Sequence, residues 1–213
     1  MIFPVSERPK AIEGDRSTAR DTATVMFVEL EPVAAAMNDI GIRWAFAGGW
    51  TIDLWRATRS RPHHDIEVVV HRHDQGSIHA ALRPSWDLFC LDPPGGGWQP
   101  WDGHSLSEPA FQLQARRGAV VFDIFTETVD DDVWLFRRDH RISRPAVELV
   151  TVVGDGVPVV RPAIQLLYMA KGPAPKNGAD FAVSRPSLAD EEATWLAAAL
   201  ALTLPTHPWL ADL

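Results

Sequence analysis

Apolar residues along the chain recur with two different periods, and the changes between them lay out the elements. From about Thr22 the run Val-Met-Phe-Val-Glu-Leu-Glu-Pro-Val-Ala-Ala-Ala-Met places apolar positions at helical spacing, despite Pro32. Short β-branched and aromatic runs then predict strands at 43–47 and 64–71, with a helix at 50–56 between them. A helix is expected over 73–82, stopped before Pro84, and a strand over 86–90. Residues 93–109, opening Pro93-Pro94-Gly95-Gly96-Gly97-Trp98, hold no period and read as a long irregular loop. Its Trp98, Trp101 and His104 are candidates either to line an acceptor site or to pack the surface. Strands recur at 111–115, 119–126, 133–137, 149–153 and 157–160, with Asp155-Gly156 as a hairpin turn. From Pro162 the pattern is helical; Pro173-Ala174-Pro175 marks a bend, and a structural helix from Leu188 to about Leu202 opens on Asp190-Glu191-Glu192. No repeat is apparent. The order predicts an α+β fold: a polar leader at 1–21, a core of mixed β-sheet flanked by helices at 22–160, and a helical segment at 161–213 closing one side of a cleft.

Composition narrows the function. At 213 residues, 46% apolar and 23% charged, the chain can bury one substantial core or two small lobes. Its one cysteine, Cys90, rules out an internal disulfide, fits a reducing compartment and reads as a small buried hydrophobe on a strand. The N-terminus lacks the apolar core of a signal peptide, and no apolar run approaches the roughly 20 residues of a membrane span, so a cytoplasmic protein is expected. A net charge of −8 argues against a nucleic-acid surface. It would help draw a polycationic small molecule to an acidic cleft, with Asp130-Asp131-Asp132 expected as a solvated turn.

The chemistry concentrates between Gly48 and Glu67. On a strand, Asp65 and Glu67 would project from one face, and two neighbouring carboxylates repel unless a cation lies between them. Hard oxygen ligands point to magnesium. Upstream, Gly48-Gly49 would let the backbone approach a phosphate at the start of the following helix. Gly48-Gly49-Trp50, Asp53, Thr58-Arg59, Arg61-Pro62-His63 and Asp65-Ile66-Glu67, with fifteen residues between Gly49 and Asp65, resemble the signature of the small aminoglycoside and lincosamide nucleotidyltransferases. These belong to the DNA polymerase beta-like nucleotidyltransferase superfamily. The resemblance runs on through Val133–Asp139, Arg161–Lys171, Pro175–Phe181 and His207-Pro208-Trp209-Leu210, so it covers most of the chain from about Trp44. Asn177 and Gly178 depart from it, since relatives commonly carry an acid and then another polar residue there.

The resemblance implies transfer of a nucleoside monophosphate, AMP from ATP in the first instance, to a hydroxyl of a small molecule such as an aminoglycoside or lincosamide antibiotic, with release of pyrophosphate. An attacking hydroxyl must lose its proton, so a third carboxylate should face the pair. Asp123 on the strand at 119–126 is the candidate base or third ligand, with Glu127 on the same face as runner-up. Magnesium is thus expected on Asp65, Glu67 and Asp123, and the triphosphate against Gly48, Gly49, Arg59, Arg61, Lys171 and Lys176. The two arginines could equally pair with Asp53 or surface acids.

Two other functional classes compete. His63, His64, Asp65, Glu67, His71 and His73 supply ligand types for a metal-dependent hydrolase, though at poor spacing. The departure at Asn177-Gly178 also suits a catalytically silent domain that binds nucleotide or a protein partner.

Overall fold

A computed structural model describes residues 27–172 and 174–213. The leader expected over 1–21, the first residues of the helix expected from Thr22, and Pro173 of the expected bend lie outside the described residues. A 3-10 turn at Val28–Leu30 leads into helix α1 (Glu31–Asn38). Pro32 therefore falls in the first turn, where its missing N–H removes no helical hydrogen bond, and the helix begins later than its periodicity predicted.

The elements then follow as β1 (Trp44–Ala47), α2 (Gly48–Arg56), β2 (Glu67–His71), α3 (Gln75–Leu82), β3 (Asp87–Cys90), β4 (Gln99–Pro100), β5 (Gln112–Arg117) and β6 (Val120–Asp130). After these come β7 (Val133–Leu135), β8 (Ser143–Pro145), β9 (Val150–Val153), β10 (Val157–Val160), α4 (Pro162–Ala170), α5 (Pro175–Ser184) and α6 (Asp190–Thr203). The sheet runs β4-β3-β5-β6-β2-β1-β10-β9, and β7 with β8 continues from the far end of β6. It is mixed: β1 with β10 and β2 with β6 are parallel, while the other pairs are antiparallel. The fold is α+β, as the pattern predicted.

Strand alternation divides the core between two faces of the sheet. Trp44, Phe46, Val68, Val70, Phe122 and Ile124 pack with α1 and α3. Ala45, Ala47 and Val69 face the other way, against Leu166, Leu167, Phe181, Leu196 and Leu200 of the C-terminal helices. Cys90 is fully buried on the first face.

Three expectations change. The second strand begins at Glu67 instead of 64, which leaves Asp65 in the turn before it. β6 extends to Asp130, and Asp131 and Asp132 make the following turn at φ 44° and 63°. The loop at 93–109 holds β4 and packs on the first face, where Trp101 and Leu106 are buried and the Trp101 Nε1–H donates to the His104 carbonyl at 2.7 Å. Two large apolar side chains found burial there, which fixes the loop away from the face that the C-terminal helices cover. Among the described residues no helix is long and apolar enough to cross a membrane.

Candidate active site

β2 and β6 lie parallel, with Glu67 opposite Asp123 and the Asp123 amide donating to the Ile66 carbonyl at 2.9 Å. Both acids share the face of Val69 and Phe125, beneath the C-terminal helices. Asp65 reaches this region from the preceding turn, whose carbonyl accepts from Trp50 Nε1 at 3.1 Å. A turn anchored on a buried tryptophan, in place of strand alternation, thus brings Asp65 beside Glu67.

Asp65 and Glu67 line a cleft of about 370 Å³, together with Gly48, Gly49, Arg61, Gln112, Gln165, Tyr168, Lys176 and Asn177. Asp123 stands half-buried beside it, its carboxylate accepting from Gln114 Nε2 at 2.7 Å and Gln112 Nε2 at 3.3 Å. Burial, with the charges of Asp65 and Asp123, raises Glu67 from 4.5 to about 7, and Lys176 and Arg137 offset only part of this. Burial also raises Asp123; the two glutamine hydrogen bonds counter it and the Asp65 charge adds to it. Gly48 has φ +66°, and a Cβ on it would overlap the Glu67 carboxylate. Its N–H donates to Gln165 Oε1 at 2.9 Å. Asp65, Glu67 and Asp123 offer only hard oxygen donors, without a sulfur or imidazole among them, and that chemistry fits a divalent cation of the magnesium class.

The basic side chains divide. Lys176, at the start of α5, lines the cleft. Arg61 also lines it, but its guanidinium makes a bidentate pair with buried Asp180 of α5, at 3.1 Å from Nε and 2.8 Å from Nη2. That pair raises the Arg61 pKa and ties the loop after α2 to α5. Arg59 pairs with Glu29 and lies 4.8 Å over the Trp50 ring, while Lys171 is exposed at the end of α4; neither is among the lining residues. A Cβ on Gly49 would collide with Arg61 and with the His63 ring at 2.6 Å. The glycine pair is therefore required by its own neighbours as well as by any phosphate.

Glu127, the alternative third acid, lines the cleft but is fully committed. Its carboxylate accepts from Trp134 Nε1 at 2.8 Å, Tyr168 Oη at 2.6 Å and Arg137 Nη1 at 2.7 Å, at 0% exposure. It holds Arg137 between the Phe111 and Tyr168 rings, 4.3 and 4.2 Å from their centroids. Arg137 and Arg138 both line the cleft; the sequence pattern placed them within the resembling segment Val133–Asp139 but assigned them no site role. The lining charges are thus Arg61, Arg137, Arg138 and Lys176 against Asp65, Glu67 and Glu127, so the net −8 of the chain is not concentrated here.

Asn177 donates from Nδ2 to the Met169 carbonyl at 2.9 Å and the Gly172 carbonyl at 3.0 Å, capping α4. The histidine-rich set does not form one centre. His63 bonds Asp53 at 2.6 Å with its ring 4.4 Å from the Trp50 ring, while His71 closes the other end of β2 and His73 sits on the turn that follows. Burial alone would raise Asp53, but its hydrogen bonds from His63 and Ser60 hold it below the usual carboxylate range.

A family model described as aminoglycoside-2''-adenylyltransferase matches residues 29–85, from α1 to just past α3. Among solved structures, the chain is similar to the antibiotic-resistance factor ANT(2'')-Ia in solution, at 16% identity and TM-score 0.57, covering 84% of this chain and 93% of that one. It is similar also to ANT(2'')-Ia in complex with adenylyl-2''-tobramycin, at 15% identity and TM-score 0.53, covering 85% and 98%. The lincomycin-bound lincosamide antibiotic adenylyltransferase LnuA gives 13% identity and TM-score 0.53, covering 73% and 94%. At such identities these likenesses speak for the fold. No curated protein matches the chain in sequence.

Proposed function

We propose that this chain, which is aminoglycoside/lincosamide nucleotidyltransferase-like, transfers a nucleoside monophosphate, AMP from ATP in the first instance, to a hydroxyl of a small molecule such as an aminoglycoside or lincosamide antibiotic, releasing pyrophosphate in the cytoplasm. The observation that carries the reading is the pair Asp65 and Glu67 lining a cleft whose other walls bring Arg138 and Lys176, with Asp123 opposite Glu67 on the neighbouring strand. Magnesium bound by the three acids would neutralise the triphosphate and the departing pyrophosphate. Lys176 and Arg138 hold phosphate oxygens; Arg137 is paired with Glu127 and keeps the aromatic wall in place. Gln165 fixes the Gly48 turn so that the Glu67 carboxylate has room. Asp123, oriented by Gln112 and Gln114, takes the proton of the acceptor hydroxyl as its oxygen bonds to the α-phosphorus and the bond to the β-phosphate oxygen breaks. We divide the chain at 160/161, with 161–213 as the wall that closes the cleft.

The direct test is magnesium-dependent pyrophosphate release from each of the four nucleoside triphosphates, with a panel of aminoglycosides and lincosamides. Release with one acceptor that disappears in Asp65→Asn and Glu67→Gln supports the proposal and names the substrate class. Absence of any magnesium-nucleotide binding overturns it. Nucleotide binding without transfer to any acceptor would favour the silent-domain alternative.

A further inference from the structure

We infer that His71, His73 and Asp74 form a second metal site, suited to a dication of the zinc, cobalt or nickel class and separate from the carboxylate cluster. One ligand atom from each residue lies within 4.8 Å of the other two, and His73 Nε2 is 3.3 Å from Asp74 Oδ1. Around a tetrahedral ion with bonds of about 2.0–2.1 Å, ligand atoms stand about 3.3 Å apart. One pair already has that spacing, and the others, at no more than 4.8 Å, need to close by at most about 1.5 Å, within reach of side-chain rotation.

The scaffold divides that work. His71 is the last residue of β2, 8% exposed, with its ring 5.3 Å from the His73 ring. His73 and Asp74 sit on the 3-10 turn at Arg72–Asp74, which is braced from both sides. The Gln75 amide donates to the Arg72 carbonyl at 2.9 Å, and the Arg72 guanidinium donates to the carbonyls of Leu106 and Ala110 at 3.1 and 2.8 Å. The turn backbone is thus fixed and the His71 imidazole buried, while the His73 side chain, 68% exposed and held only by Asp74 and the His71 ring, can swing onto an ion. Its exposure leaves the fourth position open to water or an outside ligand.

Two imidazoles and one carboxylate select borderline transition metals over magnesium, which prefers an all-oxygen shell. Glu127 beyond His71 adds favourable charge, and Arg43 opposes it. Four residues of strand place the site about 13 Å from Glu67, against the roughly 4 Å of a paired-metal catalytic centre. It therefore loads independently of nucleotide, and the inference does not rest on the proposed transfer reaction.

The test measures zinc affinity by competition with a chromophoric chelator, on the full chain carrying Asp65→Asn and Glu67→Gln to remove the first centre. One equivalent should remain bound, and excess magnesium should not displace it. Adding His73→Ala should weaken it by at least about tenfold, since even loss of an outer-shell partner costs about that much. Cobalt should show a tetrahedral visible band that the same substitution removes. His73 is exposed, so an unchanged melting temperature separates ligand loss from misfolding; His71→Gln provides a second ligand variant. Unaltered zinc affinity in His73→Ala, or displacement by magnesium, overturns the assignment.

Discussion

Glu67→Gln is expected to stabilise the metal-free protein while ending its chemistry. Burial and the neighbouring Asp65 and Asp123 lift this carboxyl from 4.5 to about 7. A carboxyl raised on folding holds its proton more tightly in the native state. The native state therefore carries no penalty at low pH, loses stability as pH rises from 4.5 towards 7, and bears the whole cost above 7. At about 1.4 kcal/mol per pH unit, the shift costs about 3 kcal/mol at pH 8. It shrinks to about 1 kcal/mol at pH 5, where the native carboxyl is protonated. A neutral amide removes most of this, although its own burial is imperfectly partnered, so a gain of about 1–3 kcal/mol is expected at pH 8. For a chain of this size that raises Tm by about 2–10 °C. Calorimetric melts of both proteins with a chelator present, at pH 8 and pH 5, measure it directly. The reasoning fails if the variant melts at or below the native protein at pH 8, or if the gap is the same at both pH values. Magnesium should narrow the gap, because it binds the native carboxylates and not the amide.

Three further outcomes follow from the same geometry. Gly48→Ala adds a Cβ that overlaps Glu67 at a backbone φ of +66°; it should cost about 1–2 kcal/mol in denaturant melts and on the order of 100-fold in pyrophosphate release, and native turnover would contradict it. Glu127→Gln leaves Arg137, Trp134 or Tyr168 short of an acceptor and should cost about 3–5 kcal/mol, with magnesium-nucleotide affinity by titration calorimetry essentially unchanged. Lost metal affinity at intact stability would instead make Glu127 the third ligand. Asn177→Asp puts a carboxylate against the Met169 and Gly172 carbonyls and should lower stability by about 1–3 kcal/mol at pH 8. At pH 4 the loss should be smaller, since a protonated carboxyl can donate; equal loss at both pH values would refute the capping role.

Periodicity and local chemistry made most of the sheet legible, because each strand from β1 to β10 except β4 and β8 carries its own apolar run or, in β5, an alternation of Leu113 and Ala115 with polar residues. β4 and β8, of two and three residues, depend on pairing with neighbours and leave no period to read. The acids at 65, 67 and 123 stood out as candidates because a carboxylate beside an apolar strand is costly without a purpose. Their arrangement was less so, since Trp50 and a turn, not a strand, orient Asp65. Pairing of Arg59 with a surface acid was one of the two alternatives, and Glu29 is that acid, but the particular partners are long-range: nothing local says that Arg61 meets Asp180, Arg59 meets Glu29, or Arg137 meets Glu127. Gln165 did leave a signal, as the lone amide in the otherwise apolar run Pro162–Ala170. A buried amide in a helix needs a partner, and its partner is Gly48.

The parallel pairing of β1 with β10, in which Phe46 stands opposite Val159, carries a consequence for synthesis on the ribosome. β1 can pair at once with β2 on one side, but its other edge waits for a strand about a hundred residues later. At about 5–20 residues per second that wait lasts roughly 5–20 s, during which an apolar edge stays open to association. The acids are made early and Lys176 late, so a nascent chain carries the carboxylate cluster before it has the wall that faces it. The open edge of β1 during that interval is therefore a point at which the nascent chain is exposed to association before the finished fold exists.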